Sequence, residues 1–196
     1  MQYEPHVEVI VKALVKAWRL DALCIFAAGT ALLLAFVPRD AMAVPGRDRV
    51  FAVIWPLLPT LLAVPIPAIA EHRTDDVHRT APRILALRLR VLATVAVLCL
   101  VGVSTGAVIG SHVLIRNTAA LVGLALLGAG VLPRSVSWAL LVLTPMAMWL
   151  FGTRREQDAF AWAFLLRPAA DRWADAVAAV LLGGGIGAFT VGRARS

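Results

Sequence analysis

Long apolar runs broken by short polar islands set the pattern of this chain. The runs cover about residues 20–37, 50–70, 84–111, 118–132, 136–151 and 173–192, and several approach the roughly 20 residues a helix needs to cross hydrocarbon. No stretch alternates with the period of two that marks a membrane β-barrel. The pattern predicts an all-α, polytopic membrane protein. One domain, 1–196, would hold a six-span bundle over 20–192, an N-terminal interfacial helix and a short re-entrant helix before the last span.

Each polar island adds detail. Over residues 6–19, Val7, Val11, Leu14, Val15 and Trp18 share one helical face, while Glu8, Lys12, Lys16 and Arg19 share another. Such a helix suits the membrane surface, or it extends the first span into the aqueous phase. Residues 38–49 form a turn-rich loop around Pro45-Gly46. The second run carries Pro56, Pro59, Pro65 and Pro67, each without an amide donor. They should kink or break the helix, as a pathway-lining hinge or as a merely bent structural element.

Farther on, Gly102, Gly106 and Gly110 repeat every four residues, the spacing for close helix packing. His112–Thr118 carries Arg116 and Asn117 into the fourth run, and Pro133-Arg134-Ser135 makes the next turn. Trp138 and Trp149 stand near the ends of the fifth run as aromatic anchors. The apolar core of residues 152–171, which includes Phe160, Trp162 and Phe164, is too short to cross. It predicts the re-entrant or interfacial helix. The glycines of the last run predict close packing, with local flexibility as the alternative.

Composition supports the membrane reading. The chain is 60% hydrophobic and 16% charged with a mean hydropathy of +0.82, values a soluble domain of 196 residues rarely reaches. The net charge of +7 would point to nucleic acid in a soluble protein. Here the basic residues sit mainly in loops and at span ends, with no basic groove interleaved with aromatics, so no nucleic-acid partner is expected. Cys24 and Cys99 each lie inside an apolar run and read as buried thiols. Lys and Arg favour one set of loops, weakly placing both termini and residues 71–83 in the cytoplasm.

That segment, EHRTDDVHRTAPR, is the most sharply charged island. Glu71, Asp75 and Asp76 balance Arg73, Arg79 and Arg83, so it would clamp anionic lipid poorly. Thr74 can cap a short helix with Asp75 and Asp76 in its first turn, Asp75 one turn from Arg79, and Pro82 at its end. A docking helix that includes His78 and a solvated hairpin both fit. The chemistry of an enzyme is missing: there is no P-loop motif and no HExxH, and GVSTG, residues 102–106, lies within an apolar run and is no nucleophile elbow for Ser104. No metal or other cofactor is expected in this chain.

The amphipathic N-terminal helix, the six runs, the charged hairpin and the short segment before the last run together resemble the type-2 ATP-binding-cassette (ABC) exporter permeases. Residues 116–152 look like small permease-like proteins of actinobacterial ABC exporter operons. The resemblance implies a non-enzymatic subunit of the bacterial cytoplasmic membrane that forms a translocation path for an amphiphilic peptide, antibiotic or lipid-like compound. ATP and Mg would be bound by a separate nucleotide-binding ATPase, docked on Thr74, Asp75, Asp76, His78 and Arg79. A second permease subunit, identical or related, would complete the path, and Phe160, Trp162 and Phe164 would belong to an external gate. The competing classes are an accessory or immunity membrane protein, a substrate-binding component of an importer and an intramembrane enzyme.

Overall fold

The computed structural model describes residues 26, 28–33, 36, 41–47, 50–67, 81–154 and 158–192. The interfacial helix expected at 6–19 and the docking residues Thr74, Asp75, Asp76, His78 and Arg79 lie outside them. Of the first expected span, residues 26, 28–33 and 36 are described, and they are helical.

Two short strands, β1 (Ala41–Ala43) and β2 (Phe51–Val53), pair antiparallel with Met42 opposite Ala52. The fold is therefore mostly helical rather than all-α. Pro45 and Gly46 make the turn, with Gly46 at φ 74° and the Arg47 amide bonded to the Val44 carbonyl at 3.2 Å. The hairpin's Val44, Val50 and Ala52 pack on Trp149 and Leu150. It also caps a distant helix: Arg47 Nη1 donates to the Leu150 carbonyl at 3.1 Å.

The proline-rich run is broken, as four missing donors dictate. A 3-10 turn, Trp55–Leu57, leads into one turn of α-helix, α1 (Thr60–Ala63), and residues 65–67 are helical again. The expected second span over 50–70 is thus a strand followed by a fractured helix.

Three longer helices follow. α2 (Ala81–Val108) holds Pro82 in its first turn, where a missing N–H costs nothing. Pro82 lies inside α2, and the short helix it was expected to end lies outside the described residues. A Schellman motif closes α2: Gly110 at φ 67°, Ser111 N–H to the Gly106 carbonyl at 2.7 Å and Gly110 N–H to the Ala107 carbonyl at 3.2 Å. Ser111 then caps α3 (His112–Val131), its hydroxyl accepting from the Leu114 amide at 3.3 Å. A tight turn with a 3-10 piece, Arg134–Val136, joins α3 to α4 (Ala139–Phe151), which carries Pro145. The last helix is α5 (Arg172–Gly192).

Among the described residues, α2 (over Val91–Val108), α3 and α5 (to Val191) are long and apolar enough to cross a membrane. Six spans are not supported among the described residues, and the expected first span, 20–37, lies mostly outside them. α4 has 13 residues and, at about 20 Å, falls short of the hydrocarbon thickness. Among the described residues of 152–171 none is α-helical either. They make a single bridge, Thr153 with Ala159, and a 3-10 turn, Phe164–Leu166, so the re-entrant helix is replaced by ordered irregular chain.

α3 is the axis of the bundle. Leu114, Leu121, Val122 and Leu126 are fully buried in one core with Leu62, Leu98, Leu141, Leu165 and Phe189 from the other elements. α2 runs antiparallel to it, a Cβ on Gly102 falling 2.4 Å from Thr118 Cγ2 and one on Gly106 falling 2.6 Å from Ile115 Cγ1. Gly110 does not join that seam; it belongs to the turn. α5 runs parallel to α3, with Asp175 beside His112 at one end and Ala188 beside Gly130 at the other. Their backbones touch where Gly123 meets Leu181, Leu182 and Gly185, and no side chain fits between them.

Candidate functional site

The start of α3 carries Arg116, Asn117 and Thr118, three consecutive polar residues, all buried. Arg116 is 4% exposed and Asn117 is 0% exposed, which requires partners for every donor. The partners are backbone carbonyls of the two irregular segments. Asn117 Nδ2 donates to the Pro56 and Leu165 carbonyls, both at 2.7 Å. Arg116 Nη2 donates to the Arg167 carbonyl at 2.8 Å and Nη1 to the Pro168 carbonyl at 3.0 Å. Arg116 Nε donates to Asn117 Oδ1 at 3.1 Å, which locks the two side chains together. Thr118 bonds back to the Leu114 carbonyl at 2.8 Å.

This arrangement solves a local problem. Pro56 and Leu165 lie in chain that cannot satisfy its own carbonyls as a regular helix would. Two side chains of α3 replace the missing intrahelical donors and bind both segments to the bundle axis. The guanidinium charge is answered by Asp175 in α5 and by Asp171 just before it, which lie close enough to act on it.

A second arginine extends the network. Arg167 Nε donates to Asp171 Oδ2, its Nη1 donates to the Ala159 carbonyl at 2.9 Å, and Nη1 lies 3.9 Å from Asp158. Asp171 also caps α5, its Oδ1 accepting from the Trp173 amide at 2.9 Å and the Ala174 amide at 3.3 Å. The Arg167 hydrogen bond, helped by these two amides, holds the Asp171 carboxyl below its usual range. At the rim, His112 Nδ1 lies 3.8 Å from Asp175 Oδ1, an electrostatic contact too long for a hydrogen bond.

Beside the network lies a partly open cavity of about 210 Å³. β2 contributes Phe51 and Val53, the 3-10 turn Trp55 and Pro56, α3 Val113, and the irregular segment Thr153, Leu166 and Arg167. The Thr153 hydroxyl is buried and has no hydrogen-bond partner among the described residues.

Of the residues marked from sequence, Pro56 lines this cavity, while Pro59 stands at the cap of α1 and Pro65 and Pro67 lie in the helical stretch beyond it. Phe160, Trp162 and Phe164 do not share a helical face. Phe164 is buried in the main core, Trp162 is half exposed, and Phe160 sits under the Arg154 guanidinium at 4.5 Å. Gly102 and Gly106 lie on the α2–α3 seam. Sequence reasoning placed Arg116 at a span end and did not find the buried pair it forms with Asn117. The one available signal was the run of three polar residues within the first two turns of an apolar helix. Among the described residues no group of three or more His, Cys, Asp and Glu could hold a metal ion. The chain matches no family model, and neither a curated protein nor a solved structure matches it.

Proposed function

We propose that this chain is a membrane-embedded permease subunit of an ABC exporter, driven by a separate ATPase that binds ATP and Mg. The supporting observation is the pair of non-helical segments, around Pro56 and Leu165, held against the spanning-length helix α3 and lining an open cavity. Broken backbone at such a depth is tolerated where it is buried in protein or lines a cavity, and transporters use it to build pathways. The exposed apolar side chains of α2 and α5, among them Leu100, Val103, Val180 and Val191, suit lipid or a second permease subunit. In this reading both termini and residues 71–83 face the cytoplasm, Thr74, Asp75, Asp76, His78 and Arg79 dock the ATPase, and the cargo is amphiphilic.

A second reading, a non-transporting accessory membrane protein, draws on the same site. Arg116 and Asn117 direct their donors at backbone carbonyls rather than at a pathway. Purification of the tagged full chain from its native membrane in mild detergent separates the two. A permease brings down a stoichiometric P-loop ATPase that is lost in the Asp75→Lys, Asp76→Lys double variant. A chain that purifies alone and folded overturns the permease reading.

A further inference from the structure

We infer that the exposed indoles of Trp138 and Trp173 bind the headgroup layers of the two leaflets of a phospholipid bilayer, with a charge-free belt of the chain between them in contact with acyl chains. This rests on the membrane placement proposed above and not on transport. The first observation is where charge lies. α2 over Val91–Val108, α3 from Asn117 onward, all of α4 and α5 over residues 176–191 contain no Asp, Glu, Lys, Arg or His. His112, Arg116, Arg167, Asp171, Arg172 and Asp175 gather at the end where α3 and α5 begin. Arg83, Arg88 and Arg90 near the start of α2, and Arg134 after α3, belong to the opposite end, because α2 and α3 are antiparallel. The large exposed side chains at the depths between, Leu100, Val103 and Val180, are apolar.

The second observation is where the exposed tryptophans stand. Trp173 is exposed in the first turn of α5, two residues before Asp175, which lies beside His112 at the start of α3. Trp138 is exposed beyond the other end of α3, next to Ser137, whose carbonyl lies against Gly128. From His112 to Gly128 the axis of α3 rises about 24 Å, and the step from Asp175 back to Trp173 adds about 3 Å. The two indoles therefore stand about 27 Å apart along the bundle, close to the roughly 30 Å of bilayer hydrocarbon. An apolar ring with a polar N–H is most stable at that boundary, where one end is dry and the other wet. Trp149, marked from sequence as an anchor, cannot serve: its indole nitrogen is buried and its ring packs on the β1–β2 hairpin.

The test places the full chain in vesicles of phosphatidylcholine brominated either high on the acyl chain or near its end. Trp138→Phe and Trp173→Phe remove exposed rings and leave the core untouched, so the emission each loses against wild type reports the depth of that indole. Val180→Trp adds an emitter on the exposed face of α5 between the two levels. Shallow bromines should quench the Trp138 and Trp173 contributions more strongly than deep ones, and the order should reverse for the emission gained in Val180→Trp. A preference for deep bromines at either native tryptophan overturns the inference. So does a Trp138 or Trp173 contribution that no lipid quenches while Val180→Trp is quenched, since that indole then faces water or protein in a chain that does enter the bilayer. If no emitter is quenched and alkaline carbonate strips the chain from the vesicles, the membrane placement itself fails and takes the inference with it.

Discussion

α3 and α5 are nearly twins in sequence terms. Both are about twenty residues long, apolar, rich in glycine and alanine, and they run side by side in the same direction. Yet 72% of the span-length stretch of α3 is buried and only 22% of that of α5. Overall hydropathy therefore does not say which helix is central. The polar residues do: α3 takes Arg116, Asn117 and Thr118 into the interior, where the rest of the fold supplies their partners. α5 keeps its only acidic residue, Asp175, at the rim, and its glycines 183, 184 and 187 have no described atom within 4 Å of an added Cβ. In a membrane a buried polar residue marks the helix around which others assemble.

The largest test of this contrast is Gly123→Leu. Its side chain would meet the α5 backbone, the Cβ alone falling 2.4 Å from the Leu181 carbonyl oxygen, and overpacking against immobile backbone costs about 3 kcal/mol. Thermal unfolding in detergent should show a collapsed midpoint or no cooperative transition. A wild-type midpoint would break the picture of α3 and α5 as a sealed pair.

Asn117→Leu comes next. It strands the Pro56 and Leu165 carbonyls and leaves Arg116 Nε unpaired, at about 1–3 kcal/mol for each buried group left unsatisfied. Proteolysis should then open residues 55–59 and 164–168 together. If only one segment becomes sensitive, Asn117 is not the link between them.

A smaller effect is expected from pH. Asp171 has a folded pKa below the unfolded value near 3.9, so its contribution is full above that value. That stability is lost as pH falls from about 4 through the lowered folded pKa. Asp171→Asn keeps the helix cap but removes the charge opposite Arg167, and should flatten this part of the acid-denaturation curve. An identical curve would mean that the Arg167 pair contributes nothing.

The smallest change should come from the open face of α5. Gly184→Ala meets no described atom within 4 Å and stiffens the unfolded chain, so stability should stay within about 1 kcal/mol of wild type or rise slightly. Gly185→Ala, one residue along, would place its Cβ 2.4 Å from the Gly123 carbonyl oxygen and should be clearly destabilising. Equal midpoints for the two variants would erase the distinction between the sealed and open faces. A loss at Gly184 alone would reveal a partner on the open face.

Much of the helical frame was legible. Apolar runs placed α5 within a residue, because a span must fill hydrocarbon and little else constrains it. The fourth run, begun at 118, missed the first six residues of α3, where the polar Arg116 and Asn117 lie. Four prolines announced the fracture at 55–67, since no neighbour can restore a missing N–H. The strands were not legible. Three residues each, they depend on packing against Trp149 and Leu150, a hundred residues away in sequence. Glycine spacing grouped Gly110 with Gly102 and Gly106, although Gly110-Ser111 also reads as a helix stop followed by a cap. The Arg116–Asn117 site was hidden for a similar reason. Its carbonyl partners lie 48 to 61 residues away and belong to irregular chain, which leaves no periodic trace.

The common direction of α3 and α5 bears on how the chain is made. In the proposed membrane placement, the polypeptide must come back between them through α4 and residues 152–171. At thirteen residues, with Pro145 inside, α4 is a poor stop signal for the insertion machinery. The segment that follows it is tied to the last helix, because Asp171 both caps α5 and accepts from Arg167. In this placement α4 and residues 152–171 would settle once α5 is made. Chains stopped before residue 172 should leave a tag at position 152 modifiable from the wrong side of the membrane, whereas full-length chains should shield it.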